Sequence, residues 1–329
     1  MSKNALKNVV NIAIVLAWCV LLLGAYTRLT DAGLGCPDWP GCYGHLVMPA
    51  EDVVQQDYPH AIVESTKAWT EMLHRYLAGS LLLTVIGILS ILRFNINFFG
   101  LVSGKLQWTL LFLLGFQAAL GMWTVTLKLL PIVVMGHLLG GFLIFSSLVA
   151  IRAQLMDKII IDLPCIKKYV FLGMVLVFVQ VALGGWVSSN YAGISCLGFP
   201  MCNGQWLPPL NGSAAFDFFH QIGPNYQGGL LDIDVRMTIQ WVHRLGALLV
   251  VLYWSILSMV IAQKVTYLRK IILLIMGLIA LQVVLGIVNV VYLLPISAAV
   301  LHNGVGALVL GSIVLLFNLV VCRPMYDSK

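Results

Sequence analysis

Eight apolar stretches, each long enough to cross a bilayer, leave this chain few folds to choose from. They are Val9–Ala25, His74–Leu92, Leu106–Leu127, Ile132–Ile151, Tyr169–Val187, Ile239–Ala262, Ile271–Val291 and Ile296–Val321. A helix needs about 20 residues to span the hydrocarbon core, and in lipid every backbone polar group must be paired internally. None of the stretches alternates polar with apolar residues as a barrel wall does. The expected fold is therefore an all-α polytopic membrane protein with eight transmembrane helices. The composition, 60% hydrophobic and 10% charged, excludes a soluble domain. The first stretch lacks a small-residue cleavage site and runs into a polar loop, so it reads as a spanning helix and not as a signal peptide.

The chain also repeats itself. Gly24, Cys36, Pro40, Cys42 and Gly44 fall onto Gly184, Cys196, Pro200, Cys202 and Gly204 at an offset of 160. His74-Arg75 falls onto His243-Arg244 at 169, and Gln117, Gly121, His137 and Gly141 fall onto Gln282, Gly286, His302 and Gly306 at 165. Each half holds four helices. Because four is even, both halves cross the membrane in the same sense, giving two parallel-repeat four-helix bundles. The expected division is residues 1–152, a linker over 153–168, and residues 169–329. Each half has one long Gly- and Pro-rich loop that cannot span, from Thr27 to about Thr70 and from Ser188 to about Arg236. Its other connection on that side is short, Lys128–Pro131 and Tyr292–Pro295.

Basic residues set the orientation. With the N-terminus inside, Lys3, Lys7, Arg93, Lys105, Arg152, Lys158, Lys167, Lys168, Lys264, Arg269, Lys270, Arg323 and Lys329 are cytoplasmic, 13 of the 19 Lys and Arg. The reverse topology would put nearly all of them outside, so both termini are expected in the cytoplasm. The net charge of +6 is then that of flanks facing anionic lipid, and no nucleic-acid partner is needed to explain it. Cysteine usage agrees. Cys36/Cys42 and Cys196/Cys202 lie on the expected outer side at one spacing and are expected to form two disulfides. Cys19, Cys165 and Cys322 are single and lie in a helix or on the inner side.

The matched histidines carry the chemistry. His74 and His243 are expected in the first turns of helices two and six, and His137 and His302 about two turns after Pro131 and Pro295. The four imidazoles then form a layer near the outer face. Ionisable groups in lipid are costly and tend to mark function, and two imidazoles from facing helices can hold a haem iron between them. The plainer alternative, a histidine bonding a backbone carbonyl, suits one such residue better than four in two matched pairs. A closed zinc site wants four ligands in one cluster, which two pairs do not offer. His45, His60 and His220 lie in the loops and read as solvated.

Three further features have two readings each. Arg75 and Arg244 follow the histidines and either clamp a haem propionate or snorkel to water. Gln-x-x-Leu-Gly, at Gln117–Gly121, Gln180–Gly184 and Gln282–Gly286, serves either helix packing or room for a flat macrocycle. Glu71 stands three residues before His74, on the same helix face, where the second half has Gln240. A carboxylate there can move protons and a glutamine cannot. Alternatively, Glu71 is only an acid placed near a helix N-terminus by the dipole.

The stretches GAYTRLTDAGLGCPDWPGC, EMLHR, GHLLGG, WVHRLGA and LHNGVGAL, with the four-plus-four layout, resemble the haem A synthase family over nearly the whole chain. These are membrane enzymes that convert haem O to haem A for terminal oxidases. The resemblance implies oxidation of a ring methyl group to a formyl group by two successive oxidations. It implies a permanent haem b on His243 and His302. It implies haem O, as substrate, facing His74 and His137, with Glu71 essential to the reaction. It also implies a multi-pass protein of a bacterial cytoplasmic membrane, with haem O synthase and terminal-oxidase assembly as partners. It names no electron donor and leaves homo-oligomers open. Two other classes fit the histidine pattern alone: a di-haem cytochrome that oxidises quinol, and a haem carrier or transporter.

Overall fold

The computed structural model describes residues 2–58, 63–157, 159–161, 166–218 and 225–322. His60, Lys158, Cys165, His220, Arg323 and Lys329 lie outside the described residues. The first five helices are α1 (Lys3–Leu29), α2 (Glu51–Asp57), α3 (Ser65–Phe94), α4 (Gly104–Thr126) and α5 (Pro131–Gln154). The next five are α6 (Lys167–Ser189), α7 (Gly212–Ala215), α8 (Ile233–Lys264), α9 (Arg269–Val291) and α10 (Ile296–Leu319). All but the short α2 and α7 are long and apolar enough to cross a membrane, and they cover the eight expected stretches. The protein is an all-α polytopic membrane protein.

Two helices extend further than their apolar runs. α3 begins at Ser65 and α8 at Ile233, so His74 and His243 sit in the third turn of each and not in the first. Hydropathy marks where a helix meets lipid, whereas backbone bonding continues through polar turns such as Ser65-Thr66-Lys67. Asp234, in the first turn of α8, suits the positive end of the helix dipole.

α1 packs on α3 and α4 on α5; α6 packs on α8 and α9 on α10. Between these groups, α5 and α10 touch each other and both touch α1 and α6. α5 and α10 are accordingly the most buried of the long helices. This packing is compatible with two repeated bundles. In lipid the contact must come from close packing, which small residues allow. Gly304 lies against Leu22 and Trp18, and Gly311 against Phe145.

The backbone repeats as well. The left-handed residues Asp31 and Tyr43 of the first half recur as Tyr191 and Asn203, and Lys128-Leu129 recurs as Leu293-Leu294. Both cap disulfides are formed, Cys36–Cys42 and Cys196–Cys202, each with Cα atoms 4.9 Å apart. At the opposite end, Ile159–Ile161 of the linker (β1) pairs in parallel with Val320–Cys322 (β2), a short ladder absent from the sequence expectation.

The halves are tied near the caps. Arg28 donates to Tyr191 Oη at 2.6 Å and to the carbonyls of Ser188 and Ser189, and Tyr191 donates to Asp31 Oδ1 at 2.7 Å. Tyr226, whose hydroxyl donates to Asn190, has its pKa pushed up to about 12 by burial. Lower down, Trp18 Nε1 donates to the Gly304 carbonyl and Asn303 Nδ2 to that of Leu21.

Candidate functional site

Each of the four histidines rests on a glycine of a neighbouring helix. A Cβ on Gly24 of α1 would stand 2.9 Å from His74 Cε1, and one on Gly184 of α6 would stand 3.1 Å from His243 Cε1. A Cβ on Gly121 of α4 would meet His137 Cε1 at 3.2 Å, and one on Gly286 of α9 would meet His302 Cε1 at 3.3 Å. The glycines of Gln-x-x-Leu-Gly are therefore seats for imidazole rings. Gly24 makes the fourth seat, with the motif's leucine before it but valine in place of the glutamine.

The glutamines have a separate task. Gln117 Nε2 donates to the backbone carbonyl of His137 at 2.8 Å, and Gln180 Nε2 to that of His243 at 2.9 Å. Gln180 Nε2 also lies 3.0 Å from His243 Nδ1. The side chains of Gln117 and Gln180 fill notches at Gly140 and Gly246, three residues beyond the histidines, and Gln282 Nε2 lies 3.4 Å from a Cβ position on Gly306. The packing reading of the motif holds, and what the motif packs the helices around is an imidazole.

His74 and His137 face each other across the first half, with ring centroids 6.3 Å apart and planes 78° apart. An imidazole nitrogen binds a metal ion at about 2 Å, so this spacing leaves room for one ion between the rings. Nδ1 of His74, His137 and His302 is buried without a partner, and among the described residues no hydrogen bond engages any of the four Nε2 atoms. Paired neutral donors held on glycine seats fit the axial ligands of a haem. Among the described residues, no three His, Cys, Asp or Glu side chains gather into one ligand set, so the arrangement does not suit a closed zinc site.

Above the histidines the halves diverge. Glu71, 5% exposed, accepts the Cys36 N–H on Oε2 at 2.9 Å and pairs through Oε1 with Arg75 at 2.5 Å. The cap can approach this closely because Gly35 has no side chain: a Cβ there would stand 2.7 Å from the Ala68 nitrogen. Arg75 also donates to the carbonyls of Asp38, Pro40 and Gly41 inside the disulfide loop. Gln240, equally buried, leaves its Oε1 unpartnered. Arg244 repeats the loop contact alone, donating to the carbonyls of Cys196, Gly198 and Met201. Both arginines thus bind the caps, a use that neither sequence reading anticipated. The spacing from Arg75 back to a Cys-x5-Cys loop was the only signal for it.

Beside the first cap, Asp31, Gly35, Tyr43, Glu64, Lys67 and Gln227 line a polar cavity of about 80 Å³. Burial, then the charges of Asp38 and Glu64, raise the Tyr43 phenol. Of the loop histidines, His45 is exposed, in keeping with a solvated side chain, and its backbone bridges to Cys42.

The sequence profile of the cytochrome oxidase assembly protein family matches residues 7–314. A heme A synthase of Shewanella oneidensis is 43% identical over 92% of this chain and 93% of its own length. The chain belongs to the haem A synthase family. More distant members named heme A synthase, from Allorhizobium ampelinum and Chelativorans, are each 28% identical, over 94% and 91% of this chain and 88% and 86% of theirs. In this family member, all four histidines, Glu71 and both cysteine pairs lie within the matched residues.

Proposed function

We propose that this protein oxidises a ring methyl group of haem O to a formyl group in two successive oxidations, giving haem A. The observation that carries the reading is the buried Glu71 beside one histidine pair and the neutral Gln240 beside the other. The names of the relatives support the substrate and product.

His74 and His137 would hold the substrate haem, and His243 and His302 a permanent haem b. When bound, haem iron supplies the one-electron and oxygen chemistry that no side chain offers. The remaining tasks belong to the chain. The glycine seats fix where each imidazole points. Glu71 accepts a proton released as the methyl carbon is oxidised, and the Arg75 ion pair and the Cys36 N–H hold its carboxylate in place meanwhile. The disulfide-closed cap excludes water above the reacting edge. Residues 1–152 form the reactive half, 153–168 the linker and 169–329 the half that retains its cofactor.

In the cell, both termini and the linker face the cytoplasm of a bacterium, and the caps face the oxidising side of its inner membrane. A haem O synthase supplies the substrate and the assembling terminal oxidase takes the product. The test is expression in cells that make haem O, followed by chromatography of the extracted haems. Haem A or its alcohol precursor beside haem b is the expected result. Two unmodified haems b would sink the reading and favour a di-haem cytochrome.

A further inference from the structure

Three of the four histidines are locked from behind, and His74 is not. The lock has two parts: a glutamine four residues before the seat glycine, and a glycine notch three or four residues beyond the histidine. Gln117 fills Gly140, Gln180 fills Gly246 and Gln282 lies against Gly306. Two of these amides also donate to the histidine's own backbone carbonyl. At His74 both parts are missing together. The residue four before Gly24 is Val20, and the helical register of α3 puts Leu77 where the notch would be. Each change alone would leave half of a lock; together they leave valine and leucine, whose side chains cannot donate a hydrogen bond to the His74 carbonyl. Two neighbouring observations point the same way. At the matched positions of α3 and α8, His74 Nδ1 is buried without a partner and His243 Nδ1 has Gln180, while His137 and His302 share the unpartnered state of His74. α3 also packs less extensively on α4 than α8 does on α9, while the seat pairs, α1 with α3 and α6 with α8, pack to the same extent.

We propose that Val20 and Leu77 make His74 the releasing ligand of the four, so that the first half exchanges its flat macrocycle while the second half keeps its own. The inference rests on the haem reading above and deepens it. An enzyme whose substrate and product are both haems must let go of an iron ligand in every cycle. A permanent cofactor needs the opposite. One glutamine–carbonyl hydrogen bond changes an equilibrium by roughly 2- to 10-fold, and holding a helix turn in place slows its departure by a similar factor.

The experiment is haem transfer from the purified, haem-loaded protein to excess apomyoglobin, followed by absorbance. The wild type is expected to release in two phases. The paired variant Val20→Gln with Leu77→Gly is expected to slow the fast phase about 2- to 10-fold and spare the slow one. Gln180→Val is expected to quicken the slow phase. A folded paired variant with an unchanged fast phase overturns the proposal. Amide hydrogen exchange in the same preparations gives a second readout that needs no turnover. Residues 72–80 are expected to exchange faster than 135–143 and 241–249 in the wild type, and to slow in the paired variant; equal rates overturn the proposal even if the variant folds poorly. A chain that binds no haem overturns both readings, and one that binds two and releases them at one rate overturns this one alone.

Discussion

The first and second halves share one scaffold and differ in a few side chains. Both seat two imidazoles on two glycines, and both tie an arginine to a disulfide loop. The first half adds a carboxylate, satisfied on both oxygens, and omits one glutamine lock. The second half has a glutamine in the carboxylate's place, with its oxygen unpartnered, and packs a glutamine behind both histidine helices, one of them bonded to the His243 carbonyl. A buried acid with two partners is held in place yet can change its proton occupancy; a buried amide cannot. Reactivity and retention can therefore be separated on one repeated fold without moving a helix.

The largest expected effect separates the halves outright. His243→Ala or His302→Ala should abolish the bis-histidine absorbance of the retained haem, while His74→Ala leaves that band in place. Reduced-minus-oxidised spectra of the purified variants decide it, and unchanged spectra in both second-half variants would break the assignment. Next comes the acid. Glu71→Gln should cut haem A formation by roughly 10²–10⁴-fold with the retained haem intact, leaving haem O or the alcohol. Gln240→Glu should leave turnover largely unchanged. Haem chromatography at matched protein levels would show the halves reversed if the two variants behaved the other way round.

Smaller effects sharpen the comparison. Gly184→Ala pushes a methyl group against His243, and overpacking of this kind costs about 1–3 kcal/mol. Thermal unfolding should register that loss, whereas Gly79→Ala, with nothing within 4 Å of the new methyl, should register none. An equal melting temperature for the two would remove the idea of seats. Smallest is Gln117→Ala, which deletes one hydrogen bond to the His137 carbonyl and should cost about 0.5–1.5 kcal/mol by the same measurement. A larger loss would mean that the glutamine does more than hold a helix turn.

Much of this was legible in the chain because lipid imposes simple rules. Eight apolar runs became eight long helices, and a fixed offset between paired cysteines became two disulfides at matched places. The matched histidines were visible because an imidazole in such a run is rare. Other features were hidden for physical reasons. The extra turns of α3 and α8 follow from backbone bonding, which hydropathy does not report. Gly24 was marked only by its offset to Gly184, since its helix lacks the glutamine that accompanies the other three seats. The attachment of Arg75 and Arg244 to cap carbonyls depends on how the loops fold back, and no local pattern encodes that. The pairing of the linker with Val320–Cys322 joins segments some 160 residues apart and left no local trace either.

The contact between Arg28 and the Ser188 carbonyl joins two positions that the duplication makes equivalent, and so does the one between Tyr191 and Asp31. Each pair therefore meets on the pseudo-twofold axis that relates the repeats. In a dimer of two identical first halves, Arg28 would face both Arg28 and Asp31 of its partner, so repulsion and attraction would compete at one partly buried place. A dimer of second halves would have no cation there at all. The present pairing, one guanidinium answered by a phenol and two backbone carbonyls, needs two halves that differ in sequence. Symmetry is given up at the very place where the two halves meet as equivalents.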